Sequence, residues 1–264
     1  VNYHTEFINY FKKIIWIEES IFFNSLNGQE IRLHQNWRKG GFLVAQPAQA
    51  NALAKEKVYE KSLTERVTVS RHAEGGDDSE PFYFEKWFFN PAGGLHFLIE
   101  TEQWDQQKEM LISALKLLAD EGIGADRAVG CGHFEFDPER DVETVHFNLP
   151  EGATHWCNLS LYCPLKEELE TINTGQSAFS LQNRGGYIAA PGRERLLNIR
   201  KRSVYMLQEG GVWRCEKAPF GKWVNLRPDN IPNSTLPTEV EQQMHDVWRD
   251  GRSLFFPFKL IAKK

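Results

Sequence analysis

The order of elements between residues 94 and 136 constrains the fold of this chain more than any other feature of the sequence. Gly94 to Glu100 is predicted to form a strand, and the segment from about Gln103 to Glu121 is predicted to form a helix. The helix has an apolar stripe at three- and four-residue spacing, made of Met110, Leu111, Ala114, Leu115 and Leu118. We expect a left-handed C-cap at Gly122, a glycine-rich loop and then a strand at His133 to Phe136. Strand, helix, loop and strand make half of a ferredoxin-like βαββαβ unit, so the predicted fold class is α+β.

The rest of the chain is predicted to be rich in strands. Lys12 to Ile17 should form a strand and Glu18 to Leu26 a helix that ends at Gly28. Arg66 to Arg71 and Pro81 to Phe89 alternate and should pair as a hairpin with a long acidic tip. Residues 34–65 have no clear period, so a long loop and an exposed helix both remain open. Further strands are expected at Trp156 to Cys163, Ala178 to Gln182, Tyr187 to Ala189, Arg200 to Leu207, Lys222 to Leu226 and Leu254 to Leu260, with helices at Leu165 to Leu169 and Glu239 to Trp248.

The glycine-rich loop has four glycines in the eleven residues from Gly122 to Gly132. Glycine permits a positive φ and lets a backbone approach a ligand closely, so such a loop can offer its N–H groups to phosphates. It is not a dinucleotide fingerprint, because it follows a helix and enters a strand, and it lacks the Gly-Lys-Ser/Thr of a P-loop. A structural turn and an RNA contact are both consistent with the loop alone.

A basic segment runs from Arg184 to Arg202, with six Lys and Arg residues against the single acid Glu194. This local charge of +5 stands out in a chain whose net charge is −5. Arginine binds phosphate well because its planar donors can bind in pairs and stay charged. Within the segment, Arg184-Gly185-Gly186-Tyr187 combines close backbone approach with an aromatic ring that could stack on a base. A solvated charged face is the alternative.

Composition restricts the function further. A net charge of −5 argues against a protein that is basic all over, so any RNA surface must be local. No apolar run has the length of about 18 to 20 residues that a membrane helix needs, and a cytoplasmic location is expected. Cys131, Cys157, Cys163 and Cys215 have no paired spacing and are predicted to be free thiols. No hydrolase or metalloenzyme motif is present, so we predict no catalytic residues, no metal and no cofactor.

Several motifs together resemble a known family. They are the loop GIGADRAVGCGHF at 122–134, the strand Val67 to Arg71 before Gly94-Leu95-His96-Phe97, Arg184 to Tyr187, Lys201 to Met206 with Gly221 to Val224, and Val247-Trp248-Arg249-Asp250-Gly251. In this order they are similar to the RAMP-superfamily subunit of the type III-A CRISPR effector, the Csm complex, that holds the 5′ handle of the crRNA. The sequence departs from the family pattern at Ala125, at Ala128-Val129 and at His133, where Lys or Arg is common.

The resemblance implies ferredoxin-like RAMP units. Residues 1–65 would be the remainder of an incomplete N-terminal unit with its connector, which agrees with a start at Val1 instead of Met. Residues 66–264 would be the C-terminal RAMP domain, whose hairpin around Arg71 to Phe82 would act as a thumb beside the guide and the target RNA. The implied RNA-binding residues are Arg71, Gly122, Gly124, Arg127, Gly130, Gly132, His133, Arg184, Gly185, Gly186, Tyr187, Arg200, Lys201 and Arg202.

The implied role is non-catalytic. The subunit would cap and anchor the crRNA 5′ handle and bridge the large signalling subunit to the backbone RAMP subunits in prokaryotic antiviral defence. Two alternatives remain open: the equivalent subunit of a type III-B or III-D complex, and an endoribonuclease of the same superfamily that processes crRNA precursors. The second would need a histidine as general acid or base, for which His4, His34 and His72 are the candidates.

Overall fold

A computed structural model describes residues 9, 11–29, 38–68, 80–91, 93–188, 199–228 and 244–260 of the chain. The helices are α1 (Glu19–Leu26), α2 (Pro47–Lys55), α3 (Trp104–Glu121), α4 (Pro138–Asp141) and α5 (Lys166–Thr171). The strands are β1 (Trp16–Ile17), β2 (Arg38–Lys39), β3 (Phe42–Leu43), β4 (Tyr59–Thr68), β5 (Glu80–Phe89), β6 (His155–Asn158), β7 (Asn173–Ala178), β8 (Leu181–Arg184), β9 (Val204–Leu207), β10 (Val212–Arg214), β11 (Trp223–Asn225), β12 (Trp248–Asp250) and β13 (Phe255–Phe258). The α+β fold class predicted from the sequence is therefore confirmed.

A four-stranded antiparallel sheet with the order β13-β6-β10-β7 contains the main core. Its apolar cluster consists of Tyr162, Ile172, Leu207, Trp213, Cys215 and Phe255, with Trp156 packed against it. The ring of Tyr162 meets the rings of Trp213 and Phe255 edge to face, with centroids 5.7 and 5.0 Å apart. Edge-to-face contacts suit the aromatic quadrupole and fix the rings relative to one another.

One buried amide connects this core to the chain around it. Asn158, at the end of β6, is fully buried, and its Nδ2 donates to the carbonyl oxygens of Ser160 and Gln208 at 2.7 and 2.8 Å. Its Oδ1 accepts the indole N–H of Trp213 at 2.8 Å. A buried polar group is tolerated only when it is hydrogen-bonded, and here both ends of the amide have partners. Asn158 therefore ties β6 to β10 and to the residue that follows β9.

Three two-stranded ribbons and a small sheet accompany this core. β4 pairs with β5 in register from Tyr59↔Phe89 to Thr68↔Glu80, which confirms the predicted hairpin over its described part. β8 pairs with β9 and β11 pairs with β12, both antiparallel. β3 lies between β1, which runs parallel to it, and β2, which runs antiparallel.

The chain divides into two compact units, Phe97–Asn148 and the remainder. The first contains the predicted helix as α3, and Ala119 is its buried residue. Neither Gly94–Glu100 nor His133–Phe136 forms a strand, so those two predictions are wrong. A strand needs a neighbour for its backbone hydrogen bonds. Of the backbone groups in these two described segments, only the N–H of Phe134 is bonded to the helix, at Ala119 O. The strands of a ferredoxin-like unit are therefore not formed around α3 by the described residues, and that detail of the fold stays a prediction.

Other local predictions had mixed outcomes. Gly122 has the expected positive φ of 81°, but its ψ of 161° lies outside the left-handed helical region. Residues 34–65 contain the exposed helix α2, the short strands β2 and β3 and most of β4. The described part of the predicted helix Glu239 to Trp248 is not helical, because Trp248 begins β12. The predicted domain boundary between residues 65 and 66 stays a prediction.

Two further predictions concern the chemistry of the chain. Cys157, Cys163 and Cys215 are buried free thiols and Cys131 is a half-buried one, as predicted. Burial raises the pKa of both Cys157 and Cys215 to about 11, which keeps these thiols protonated near neutral pH. None of the helices within the described ranges is long and apolar enough to cross a membrane.

Replacing Asn158 with leucine should destabilise the fold strongly. The substitution leaves the indole N–H of Trp213 without its partner inside the core, and it removes the donor to the partly buried carbonyls of Ser160 and Gln208. At about 1 to 3 kcal/mol for an unsatisfied buried group, we expect a loss of about 2 kcal/mol or more in the free energy of unfolding. Urea denaturation of the full chain, followed by tryptophan fluorescence, measures this loss.

The matched control is Asn183→Leu, because Asn183 is exposed on β8. This change should alter the free energy of unfolding by no more than about 0.5 kcal/mol. An Asn158→Leu variant as stable as the control would contradict the role given to the buried amide.

Candidate nucleic-acid interface

The structure brings together two stretches that the sequence singled out separately. β8 and β9 pair from Leu181↔Leu207 to Arg184↔Val204, and the ladder continues past them through a bridge between Tyr187 and Arg200. Arg184 to Tyr187 and Arg200 to Arg202 thus lie side by side at one end of a ribbon, which we call the basic ribbon. Its other end is fixed to the core, because Leu207 exchanges two backbone hydrogen bonds with Tyr162 at 2.9 and 2.8 Å.

One extra residue sits in the second strand of the basic ribbon. Between the Arg184↔Val204 pair and the Tyr187↔Arg200 bridge, the first strand advances by three residues and the second by four. Such an offset is a β-bulge, which turns a side chain or a backbone group away from the ladder. Arg202 is turned in this way: its N–H donates to Leu226 O at 2.8 Å and its guanidinium Nη2 donates to Asn225 O at 2.6 Å.

Arg202 therefore holds the basic ribbon against the end of β11. This partly structural role was missed by the analysis of the sequence, which assigned Arg202 to RNA alone. The pairing of the two basic stretches was missed as well. A signal for it existed, since Pro191-Gly192 stands between two predicted strands and such a dipeptide favours a turn. Residues 189–198, with Arg193 and Arg195, lie outside the described residues.

Of the two glycines of the basic ribbon, Gly186 is favoured by its backbone conformation, and an added Cβ would make only ordinary contacts at either position. Gly186 has a φ of 123°, accepts the backbone N–H of Lys201 at 3.0 Å, and a Cβ on it would lie 3.5 Å from Lys201 Cε. A Cβ on Gly185 would be 3.5 Å from Ser203 Cβ. Next to these glycines, the side chain of Tyr187 is 64% exposed, so one face of its ring is available for stacking.

The cations of the basic ribbon differ in how they are held. Arg184 Nε is buried and has no hydrogen-bond partner within the described ranges, whereas Arg200 is exposed. Neither of them has an ion pair with another described residue. Lys201 is half-buried. The ribbon thus gathers four positive charges; Arg202 is held by Asn225, whereas Arg184, Arg200 and Lys201 have no ion pair with another described residue.

The glycine-rich loop lies in the unit Phe97–Asn148 and has a different construction. Gly122 and Gly132 are packed inside it: Ile123 N donates to Gly132 O at 2.9 Å, and a Cβ on Gly132 would collide with the carbonyl oxygen of Ile123. Gly124 and Gly130 also have positive φ values, of 88° and 84°, but a Cβ on either would meet nothing within 4 Å. The first pair of glycines shapes the loop, and the second pair faces open space.

Only part of the loop backbone can donate to a ligand. Gly130 N is bonded to Arg127 O at 3.0 Å, and Cys131 N to Asp126 O at 3.2 Å. The N–H groups of Gly124 and Ala125, in contrast, have no acceptor among the described residues. A backbone contact with phosphate can therefore use residues 124 and 125, but not Gly130 or Cys131.

The remaining predicted site residues are less informative. Arg127 lies 3.8 Å from the carboxylate of Glu121, an exposed pair that contributes little to stability. The exposed side chain of His133 lies against Gly122, where an added Cβ would be 3.0 Å from its Cδ2. Arg71 and the three histidines considered for catalysis lie outside the described residues. Within the described ranges, no group of three or more His, Cys, Asp or Glu side chains could hold a metal ion.

Arg202 contacts the end of β11, and the turn before this strand depends on one carboxylate. Glu168 on α5 accepts the N–H groups of Phe220, of Gly221 at 3.1 Å and of Leu165 at 2.7 Å, and the hydroxyl of Tyr162 at 3.0 Å. Burial opposes the ionisation of this carboxyl, but the three N–H groups and the hydroxyl outweigh it and hold the pKa of Glu168 below its usual range.

Comparison with known proteins finds similarity to CRISPR-associated proteins. Residues 151–258 match the family described as the CRISPR Csm4 C-terminal domain. The CRISPR system protein Csm4 of Methanocaldococcus jannaschii is 24% identical over 216 residues, which cover 78% of this chain and 56% of the relative. The chain thus spans about half the length of this curated relative. The crystal structure of a Csm3-Csm4 subcomplex in the type III-A CRISPR-Cas interference complex is 16% identical, covers 91% of this chain and 67% of that chain, and superposes with a TM-score of 0.45.

The matched segment contains the main sheet, the basic ribbon and β11 to β13, and it resembles a domain of CRISPR-associated proteins. More particularly, residues 151–258 are similar to the Csm4 C-terminal domain, and 78% of the chain aligns with a Csm4 protein. The family resemblance drawn from the sequence motifs is confirmed at this level.

Replacing Glu168 with glutamine should destabilise the turn at Phe220 and Gly221. The amide keeps one acceptor but presents an NH2 group to N–H donors, and we expect a loss of about 2 kcal/mol in the free energy of unfolding at pH 7. Because the folded state lowers the pKa of Glu168, its contribution is complete above the unfolded-state pKa near 4.5 and is lost as the pH falls through the folded-state value. The stability difference between wild type and variant should therefore shrink below about pH 4.5, as measured by denaturation across a pH series.

The neighbouring Glu167 provides the control, because it is exposed on the same helix. Glu167→Gln should change stability by no more than about 0.5 kcal/mol at pH 7. A pH-independent gap between wild type and Glu168→Gln would show that the carboxylate charge is not what the turn depends on.

Proposed function

We propose that this chain is a non-catalytic RNA-binding subunit of a type III-A CRISPR effector complex, where it anchors the 5′ handle of the crRNA. The observation that carries the proposal is the basic ribbon, which places Arg184, Arg200, Lys201 and an exposed Tyr187 together within the Csm4-like domain. Phosphate contacts position an RNA strand without reading its sequence, and stacking holds a splayed base. The ribbon combines both kinds of contact.

The proposed role extends to protein partners. We propose that the chain bridges the large signalling subunit to the backbone RAMP subunits, and that the β4–β5 hairpin is the thumb beside the guide and any target RNA. Tyr59 stacks on Trp87 with ring centroids 4.7 Å apart, and Lys61 lies 4.0 Å from the centroid of the Trp87 ring. These contacts, together with the ion pair between Lys61 and Glu85 at 3.2 Å, stiffen the base of the hairpin.

Replacing Arg184 and Arg200 together with glutamine should weaken handle binding in a salt-dependent way. Each phosphate neutralised on single-stranded RNA contributes about 0.7 to the slope of log affinity against log salt, so the double variant should flatten that slope by about 1.4. Arg202 is left unchanged because its guanidinium also holds Asn225. Filter binding of labelled repeat RNA across a salt series measures the slope, and Lys166→Gln, an exposed charge on α5, is the control.

Tyr187→Ala should weaken RNA binding in the same assay without changing its salt dependence. Loss of a stacked base should cost about 1 to 3 kcal/mol with the salt slope unchanged. An unaltered salt slope in the double arginine variant would refute the phosphate role of the ribbon. If that variant instead failed to assemble with the other subunits, we would conclude that these arginines bind protein. The RNA should also be recovered intact, since metal-independent cleavage would favour the endoribonuclease alternative.

Replacing Gly124 with asparagine should weaken handle binding by about tenfold, because the new side chain stands beside the N–H groups of Gly124 and Ala125, which are available for phosphate. Asparagine tolerates a positive φ better than other residues, so the loop should keep its shape. Gly130→Asn should cause a smaller loss, since Gly130 N is already bonded to Arg127 O. Gly152→Asn is the control, because Gly152 also has a positive φ, of 64°, and faces open space. Equal affinities for all three variants would exclude a backbone contact at this loop.

A further inference from the structure

A cluster of exposed aromatic rings on the β11–β12 ribbon is not used by the proposed RNA site. We call it the Trp223 face; it consists of Phe220, Trp223, Trp248, Asp250 and Arg252. Trp223 and Trp248 are 54% and 59% exposed, with ring centroids 6.4 Å apart, and Phe220 is 60% exposed. Adjacent large apolar side chains left in solvent on one face indicate an interaction site more strongly than scattered ones do.

The backbone under these rings is rigid. Cys163 exchanges hydrogen bonds with both neighbouring strands: its N–H donates to Gly251 O at 2.8 Å, and its carbonyl accepts Lys222 N at 2.9 Å. A side chain on Gly251 would collide with Cys163 Cβ, so the two segments can pack this closely only with glycine there. Glu168 fixes Gly221 from the other side. The rings are therefore held in place before any partner binds, which lowers the entropy cost of binding.

The Trp223 face is electrically neutral. The guanidinium of Arg252 donates from Nε and Nη2 to the two carboxylate oxygens of Asp250, at 3.0 and 2.9 Å. The same guanidinium lies 4.2 Å from the centroid of the Trp223 ring. Its charge is thus already paired, and a phosphate would have to displace Asp250. Tryptophan with a held arginine is the composition of energetically dominant positions in protein–protein interfaces.

The edge of β12 supplies a second, independent feature. The hydrogen bonds Gly251 N to Lys222 O and Leu226 N to Val247 O mark the hydrogen-bonded pairs of this ribbon. In an antiparallel ladder, hydrogen-bonded and non-hydrogen-bonded residue pairs alternate. Trp223↔Asp250 and Asn225↔Trp248 are therefore non-hydrogen-bonded pairs. The N–H and C=O groups of Trp248 and Asp250 therefore point away from β11, and no strand pairs with that edge among the described residues.

We propose that the Trp223 face and the open edge of β12 bind an extended segment of another protein subunit. The segment adds a strand beside β12 and packs apolar side chains at alternate positions on Trp223 and Trp248. An edge with alternating N–H and C=O groups matches a polypeptide strand, and a neutral aromatic face matches apolar side chains, whereas RNA fits neither. That the partner is a subunit of the effector complex rests on the proposed function.

The test is to co-express the full chain with each other subunit of its own effector complex, one at a time, and to measure the affinity of every pair that forms. Trp223→Ala and Trp248→Ala should weaken one such pair by about tenfold or more. Trp248→Pro should weaken it further, because proline also removes the outward N–H, which an edge strand tolerates in the folded chain. Leu169→Ala, an equally exposed apolar side chain on α5, is the control and should bind as wild type does.

Repeat-RNA binding by the isolated chain is measured on the same variants, so that the two proposals can fail separately. Loss of a subunit with RNA affinity unchanged supports the docking surface, even if wild-type RNA binding proves too weak for the proposed function. Wild-type affinity for every subunit in all variants overturns it. So does a wild-type chain that binds none of the subunits, or a loss confined to RNA affinity, which would assign the face to nucleic acid.

Discussion

The arrangement of the larger unit depends on a buried amide that satisfies three partners at once. Asn158 joins the end of β6 to the indole of Trp213 on β10 and to the carbonyl of Gln208, directly after β9. Through Gln208 and the adjacent Leu207–Tyr162 exchange, the same node sets the position of the basic ribbon. A core of aromatic rings alone would not specify this geometry, because apolar contacts are not directional and hydrogen bonds are.

Residues of one type have different tasks in this protein. Among the loop glycines, Gly132 is required for the approach of Ile123, while Gly124 leaves its surroundings open. Of the arginines on the two ribbons, Arg202 holds β11 and Arg252 is neutralised by Asp250, whereas Arg184 and Arg200 have no ion pair with another described residue. Composition identifies the basic segment as a whole, but only the hydrogen-bond partners separate the structural cations from the available ones.

Local patterns predicted the elements whose hydrogen bonds are local. The helix α3 follows from its spacing of apolar residues, and the β4–β5 hairpin follows from alternation on both sides of a polar tip. Gly94–Glu100 and His133–Phe136 failed because a strand depends on a partner that its own residues do not specify. The bulge at Arg202 and the neutral face around Trp223 were not predictable for the same reason: both arise from contacts with residues far away in sequence, Leu226 in the first case and Cys163 in the second.

The place of β13 in the main sheet affects how the protein is made on the ribosome. β6 pairs with β13 through Phe255↔Asn158, two residues almost one hundred positions apart, and α1 packs on the same strand through Leu26 O and Lys259 N. Until residues 255–258 leave the exit tunnel, β6 has an uncovered edge and the rings of Phe22 and Phe23 lack Phe256. Co-translational folding of this sheet thus waits until almost one hundred residues after β6 have been synthesised, and in the meantime the nascent chain exposes a strand edge that is prone to aggregation.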